Sequence, residues 1–439
     1  MTASAAMPDA PAPGRLRVRE VEWPAVLVSF AYFFCVLSAY YVVRPLREQL
    51  SAAVGSTQLP LFYAATLVVM LCLTPLFALL VSRWPRRVVV PLVYAFFTAC
   101  LLAFVPLFAD PGLLSPRALG TLFFVWVSVF NLFVVSVFWS FMNDIWSEPQ
   151  AKRLFPLIAV GGTAGALAGP GLTRALVNVV GVAPLLVVSA ALMGIAMLCV
   201  GWLGRWARRH GERREDARAG VAIGGGMFDG LRQIATDPFM RGMAVLLLLA
   251  DGIGTVAYAL VIDYSGATFT DAVDRTRFAA TLDLVTNGLI FLLQVTVTRW
   301  LLPRHGPGAL LVVWGALAML MLAAVALSSD PHAPVLGAWP IVVVALVATR
   351  ALAFGVAEPA RHALFSRVPR SHRYKGQNAI DTAVWRFGDL AIALGMNGLR
   401  GLGMAVGGFA ALGACAAAAA AVLGWRIDRR TAPLRAAAT

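Results

Sequence analysis

From Trp23 to Val43 the chain runs without a charged residue, and apolar runs of similar length return at short intervals as far as Trp425. About 20 consecutive apolar residues are what an α-helix needs to cross the hydrocarbon core of a bilayer. The pattern predicts twelve spans, over roughly 23–43, 58–82, 88–109, 117–144, 152–179, 182–206, 238–261, 276–302, 307–328, 335–360, 375–399 and 402–425.

The basic residues between the spans sort by side. Even-numbered loops hold Arg83, Arg86 and Arg87, then Lys152 and Arg153, six arginines between Arg205 and Arg218, Arg299 and Arg304, and Arg367, Arg370, Arg373 and Lys375. Arg15, Arg17 and Arg19 lie before the first span, and Arg426, Arg429 and Arg430 after the last. Odd-numbered loops and span ends hold only scattered arginines: Arg44, Arg47, Arg117, Arg174, Arg275, Arg277 and Arg400. The excess of positive charge marks the cytoplasmic side, so both termini are expected there.

Composition agrees with an all-α polytopic membrane protein. The chain is 60% hydrophobic and 13% charged, with a mean hydropathy of +0.78, whereas soluble domains are about half apolar and a quarter charged. The net charge of +14 follows from the topological arginine clusters and forms no long basic face, so lipids, and not nucleic acid, are the expected surroundings. Cys35, Cys72, Cys100, Cys199 and Cys415 lie singly in apolar runs. They read as packing residues, with neither a disulfide frame nor a metal site. No cofactor is expected.

The longest loop, "RRHGERREDARAG" followed by "GGG", falls at the centre of the chain. It predicts a basic leader (1–22) expected to be disordered, a six-helix bundle (23–206), a cytoplasmic linker (207–237), a second six-helix bundle (238–426) and a short cytoplasmic tail (427–439). The first apolar run has no small-residue cleavage site after it and reads as a retained helix. The halves also resemble each other. Lys152 and Lys375, the only lysines, each open the fifth span of their half, 223 residues apart, and the same offset lays Gly165 over Gly388. Cytoplasmic termini with a twofold repeat are the plan of the major facilitator transporters.

Ionisable groups inside spans are costly and usually face a cavity or a partner. Span 1 ends in Arg44, Arg47 and Glu48, with Pro45 predicting an irregular helix end. Asn143 and Asp144 end span 4, Asp251 stands near the middle of span 7, and Asp283 and Asn287 lie one turn apart in span 8. Span 10 has Arg350, Glu358 and Arg361; span 11 has Asp381, Arg386 and Asp389. The pairs Glu358/Arg361 and Arg386/Asp389, three residues apart, either neutralise each other locally or serve a substrate. Arg44 and Arg47 are either interfacial anchors or site residues. Asp251 has no partner within a turn of its own helix. In "GGTAGALAG" the glycines at 161, 165 and 169 recur every fourth residue, which lets two helices approach closely and could also form a sliding surface.

Three stretches together resemble one family. "YYVVRPLREQL", "FWSFMNDIWSEPQAKRLFPLIAVGGTAGALAGP" and "VAEPARHALFSRVPRSHRYKGQNAIDTAVWRFGD" are similar to the ATP/ADP translocase type of nucleotide exchangers, in a short bacterial form. They cover about a fifth of the chain. The resemblance implies a twelve-span facilitator fold, nucleotide exchange and a bacterial inner-membrane location. This sequence departs from the nucleotide carriers in three places: Arg47–Glu48 stands where they have Lys-Asp, Gln150 where they have a glutamate, and Gln377 near where they have a lysine. Lys152, Arg153 and Asp381 are kept.

These readings lead to a secondary transporter working by alternating access, expected to act as a monomer on a small anion, a nucleotide or a related organic anion. Substrate-binding residues are expected at Arg44, Arg47, Glu48, Asn143, Lys152, Arg350, Lys375 and Arg386. Coupling or charge balance falls to Asp251, Asp283, Glu358, Asp381 and Asp389. An uncompensated cation cluster would keep the empty site from reorienting. No Walker motif is present. The rival readings are a proton-coupled carrier of another organic ion, and a membrane protein that does not transport, such as a scramblase or scaffold. An enzyme is not expected, since no catalytic cluster sits at membrane depth.

Overall fold

The computed structural model describes residues 18–83, 86–110, 112–210, 229–367 and 380–436. Most of the predicted linker, and Lys375, lie outside them. The first half consists of α1 (Trp23–Val54), α2 (Leu59–Arg83), α3 (Arg86–Ala109), α4 (Pro116–Ile145), α5 (Glu148–Val180) and α6 (Ala183–His210). A short helix, α7 (Asp229–Thr236), leads into α8 (Pro238–Thr268). Then α9 (Ala272–Leu293) passes through a π-helical turn, Gln294–Thr298, into α10 (Arg299–Leu327).

Gly306 breaks α10 at φ 75°, ψ 172°, a left-handed conformation that a residue without Cβ adopts freely. The stretch 272–327 therefore crosses twice. A hairpin of β1 (Pro334–Leu336) and β2 (Trp339–Pro340) follows. Next come α11 (Ile341–Leu352), a second π turn at Ala353–Ala357, and α12 (Glu358–Phe365). A third π turn, Ile380–Val384, opens α13 (Trp385–Gly401), and α14 (Val406–Ala436) closes the described chain. Counted as crossings, these elements give twelve among the described residues.

Two local expectations are corrected. Span 10 was expected from residue 335, but the hairpin occupies that stretch, because Gly337 turns at φ 59° and Pro340 stands at the N-cap of α11. Pro45 was expected to end its helix irregularly, yet α1 continues through it to Val54. Proline removes one backbone bond, here the one to the Tyr41 carbonyl, but its fixed φ suits a helix. Packing supplies the difference, for α1 is held by α4, α5, α6, α8 and α9.

The twofold repeat is a property of the packing. In the first half α1 packs on α4, α5 and α6, α2 packs on α4, and α3 packs on α6. Six crossings later α8 packs on α11, α13 and α14, α9 on α11, and α10 on α14. Between the halves, α5 meets α9 and α2 meets α13, while α1 meets α8 and α9.

The glycine ladder of α5 faces α1. A Cβ on Gly161 would lie 2.4 Å from Phe30 O, one on Gly165 2.5 Å from Phe34 O, and one on Gly169 2.8 Å from Ser38 O. Both helices belong to the first half, so the ladder is a rigid seam and not a sliding surface between halves. Its counterpart obeys the 223-residue offset: Gly388 on α13 faces Leu248 and Asp251 on α8.

Large apolar side chains stand exposed along the outer faces, among them Leu71, Phe96, Leu102, Leu198 and Leu320, while Arg44, Asp283, Arg361 and Asp389 are buried. A fold with leucine outside and ions inside is one solvated by lipid. The chain is a multi-pass membrane protein.

Replacing Gly165 by Val should break the seam, because the backbone oxygen of Phe34 has no room to retreat. Overpacking of this kind costs about 1–3 kcal/mol or more, so thermal unfolding in detergent should fall by several degrees. Gly171→Ala on the same helix, where nothing lies within 4 Å, should leave the transition in place. Equal behaviour of the two variants would contradict the seam.

Candidate functional site

A cavity of about 950 Å³ lies between the halves, within the range of small-molecule sites, ~300–1,000 Å³. The first half contributes Phe33, Tyr40, Tyr41, Arg44 and Arg47 from α1, Tyr63 from α2, Phe124 and Asn131 from α4, and Thr163 from α5. Opposite stand Asp251 and Tyr258 of α8, Asn287 of α9, Trp314 of α10, Arg350 of α11, Glu358 and Arg361 of α12, and Trp385, Arg386 and Asp389 of α13. Many helices thus converge on one space, which only the meeting of the two halves creates.

Most of its charges are paired. Arg44 reaches across from α1 to Asp283 of α9 at 3.3 Å and toward Glu48 at 3.7 Å. Arg47 holds Glu48 at 2.5 Å, and the hydroxyl of Tyr258 donates to the same carboxylate from the other half. Arg47 also lies over the Phe124 ring, 4.8 Å from its centroid. The expected bare cation cluster is therefore corrected: two arginines face two acids. A guanidinium at this depth without a counter-charge would carry the full desolvation penalty. The balance is incomplete at the atomic level, since Nε of Arg44, Nε of Arg47 and Oδ2 of Asp283 have no hydrogen-bond partner among the described residues.

In the second half Arg361 forks onto Glu358 with bonds of 2.9 and 2.5 Å and reaches Asp381 at 2.6 Å. Arg386 touches Asp389 at 3.4 Å. Arg350 differs from all of these: it lines the cavity half-buried and has no ion-pair partner among the described residues. The π turns position this wall. Gln294 donates to Phe354 O at 3.2 Å and Thr298 to Gly355 O at 2.5 Å, so one turn braces the other, a form common at functional sites.

Of the residues expected in a substrate site, Arg44, Arg47, Arg350 and Arg386 line the cavity, as do Asp251, Glu358 and Asp389. Glu48 and Asp283 are buried directly behind them, and Asp381 supports Arg361. Asn143 and Lys152 are exposed near the end that carries the chain termini, away from the cavity, and Lys375 lies outside the described residues. Gln150, where the nucleotide carriers have an acid, caps α5 by accepting from Ser147 N at 3.0 Å and donates to Glu22 at 3.0 Å. Arg153 holds the same Glu22 at 2.9 Å. This motif ties the start of α5 to the start of α1.

The sequence reading missed the tie at the opposite end. Asp263, at the far end of α8, accepts from Ser56 N at 2.9 Å, from Ser56 Oγ at 2.7 Å and from Arg400 at 2.9 Å. Asn397 donates to Thr57 O at 2.8 Å. These bonds join the α1–α2 corner to α8 and α13, and so close one half upon the other. Asp263 fell just beyond the predicted end of its span, and Arg400 read as one scattered loop cation. Tyr41, Tyr63 and Tyr258 were missed because an aromatic residue in an apolar run carries no polar signal.

No family model matches the chain, and no curated protein matches it by sequence. Solved structures do. The nucleoside transporter NupG superposes with a TM-score of 0.61 at 12% identity, over 94% of this chain and 99% of its own. The POT family transporter PepTSo gives 0.64 at 14%, over 93% and 98%. A partially occluded inward-open form of the xylose transporter XylE from E. coli gives 0.57 at 12%, over 93% and 98%. The fold is that of the major facilitator transporters. Identities this low establish the fold alone.

Removing Arg44 should expose the dependence of Asp283 on it. Arg44→Gln leaves a buried carboxylate unpaired, a loss of about 3–5 kcal/mol, and the double variant with Asp283→Asn should regain most of it. Thermal unfolding of the two single variants and the double variant checks this; strict additivity would refute it.

Asp263→Asn should loosen the far-end tie. Hydrogen bonds to a charged group are worth about 1.5–3 kcal/mol, so the population open at that end should rise by roughly tenfold or more. Spin labels at Gly112→Cys and Ser329→Cys, with the native cysteines replaced, should then report a longer distance component. An unchanged distance distribution would contradict the role of Asp263.

Proposed function

We propose that the protein is a secondary transporter of the bacterial inner membrane that moves a small organic anion by alternating access, the preferred cargo being a nucleotide exchanged in the manner of the ATP/ADP translocases. The observation that carries this reading is Arg350, a half-buried guanidinium in the cavity wall with no ion pair among the described residues. A planar guanidinium binds carboxylate or phosphate through two parallel hydrogen bonds. Aromatic faces at Tyr41, Phe124, Trp314 and Trp385 suit a flat organic moiety. The resemblance in spans 1, 4–5 and 10–11 points to the same cargo.

Mechanistically, each half moves as a rigid bundle around the central site. With the basic loops in the cytoplasm, the end tied by Asp263 faces outward, and the state described here is held closed at that end. Reorientation breaks the Ser56–Asp263–Arg400 tie and closes the bundles at the terminal end. Arg44–Asp283 and Glu48–Tyr258 span the halves near the pivot, so cargo reaching Arg44 or Arg47 competes with groups on both sides. The paired charges keep the empty cavity stable, and the anion supplies Arg350 with the counter-charge it lacks. The protein acts as a carrier and not as an enzyme. A second reading, a proton-coupled carrier, is favoured by the carboxyl groups of Asp251 and Asp389 in the same wall.

At equal pH on both sides, proteoliposomes loaded with ATP, ADP or GTP should take up labelled nucleotide faster than unloaded ones. Arg350→Gln should weaken apparent affinity by about tenfold or more, the value of a charge-assisted bond. Absence of counterflow with every nucleotide removes the nucleotide reading; unchanged affinity in Arg350→Gln removes the role of Arg350.

A further inference from the structure

We infer that Asp251 and Asp389 hold one proton between them and form a proton-binding site in the wall of the cavity, linked to the anion through Arg386. The linkage rests on the transport reading above; the shared proton does not.

The two carboxyl groups come from different helices and meet where α8 crosses α13. Gly388 permits the approach: a Cβ at that position would lie 3.0 Å from Asp251 Oδ2 and 2.8 Å from Leu248 Cδ2. Asp251 and Asp389 come close together in the cavity wall, and the buried Oδ2 of Asp251 has no hydrogen-bond partner among the described residues. Ionised carboxylates only accept hydrogen bonds. Two of them side by side repel, and the shielded Oδ2 of Asp251 is left unsatisfied. One proton resolves both problems, because it turns one carboxyl into the donor that the other lacks.

The surrounding charges do not offer another solution. On α13, Arg386 reaches Asp389 at only 3.4 Å with its side chain 38% exposed, and Trp385 approaches Asp251. Arg47 on α1 is bound by Glu48, and Tyr63 on α2 faces the pair without a charge. Arg350 on α11 lines the same cavity. Asp283 of α9 is held by Arg44, and Asp381, in the π turn against α8, by Arg361. The charged residues of α14 begin only at Arg426, near its terminal end.

Among the described residues Arg386 is therefore the cation in direct contact with the pair, and it lines the cavity that an anionic cargo would enter. An anion that engages Arg386 withdraws the counter-charge from Asp389 and strengthens the pair's hold on the proton. Linkage makes the effect reciprocal, so protonation raises the affinity for the anion. Anion and proton then bind together and cross together.

The test uses the full-length protein reconstituted in liposomes. Infrared difference spectra at neutral pH should show the C=O stretch of a protonated carboxyl, shifted in D₂O, although a free aspartate with a pKa near ~4 would be ionised there. Asp251→Asn and Asp389→Asn should each abolish that band. Either amide can donate to the remaining carboxylate, so size-exclusion profiles should match the parent. With the membrane potential clamped, an inward gradient of one pH unit should concentrate labelled ADP by up to about tenfold in the parent and not in either variant. Absence of the band in the parent, or its survival in both variants, overturns the proton site. Presence of the band together with no response of ADP uptake to pH overturns the linkage. A failure of ADP to move at all refutes the nucleotide reading and leaves the infrared result standing.

Discussion

A charge buried at membrane depth has to keep a counter-charge, and in this protein the partner is repeatedly on a different helix. Arg44 of α1 meets Asp283 of α9, Glu48 of α1 receives Tyr258 of α8, and Arg361 of α12 meets Asp381 in the turn before α13. The first two cross from one half to the other. Arg44 and Glu48 thus lie on a helix buried at the heart of one bundle and reach into the other, which sets where the halves can meet. The cavity forms around them because their polar groups exclude close apolar packing.

Around that centre the molecule divides into parts that hold and parts that yield. Glycine contacts at Phe30, Phe34 and Ser38 weld α5 to the backbone of α1, and Gly388 lets α13 approach the Leu248 and Asp251 side chains of α8. Contacts this close leave the paired helices no room to slip past each other. Between halves the far end carries polar ties, Asp263 with Ser56 and Arg400 and Asn397 with Thr57, beside an apolar cluster that includes Leu59, Phe62, Val256 and Leu260 and a close approach of Gly266 to Ala52 O. Hydrogen bonds of this kind can be exchanged for water at modest cost. Inside each bundle the packing is dense and apolar, and between the bundles it is the polar contacts that water can replace.

The same contrast explains what could be read in advance. Twelve crossings, the repeat at an offset of 223 residues and the α5 ladder were all legible, because length, hydropathy and residue size act locally. Arg350, Arg386, Asp251 and Asp389 were identifiable as ions at membrane depth from their rarity within apolar runs. Pro45 misled, since its local cost is real and only the helices around α1 outweigh it. Asn143 and Lys152 were drawn toward the site by motif and position, although they stand at span ends. Asp263, Arg400 and Tyr258 left no local mark.

Sequence alone determined that this chain crosses a membrane many times as two related halves, and which ions it carries inside, because burial of apolar runs and the cost of charge in lipid depend on residue type and order. Tertiary structure decided which ion meets which. Among the described residues Arg44 and Arg47 proved compensated and Arg350 did not, and Asp251 found its neighbour 138 positions away at Asp389. Coulomb energy depends on separation in space, and no spacing along the chain records the distance between two helices.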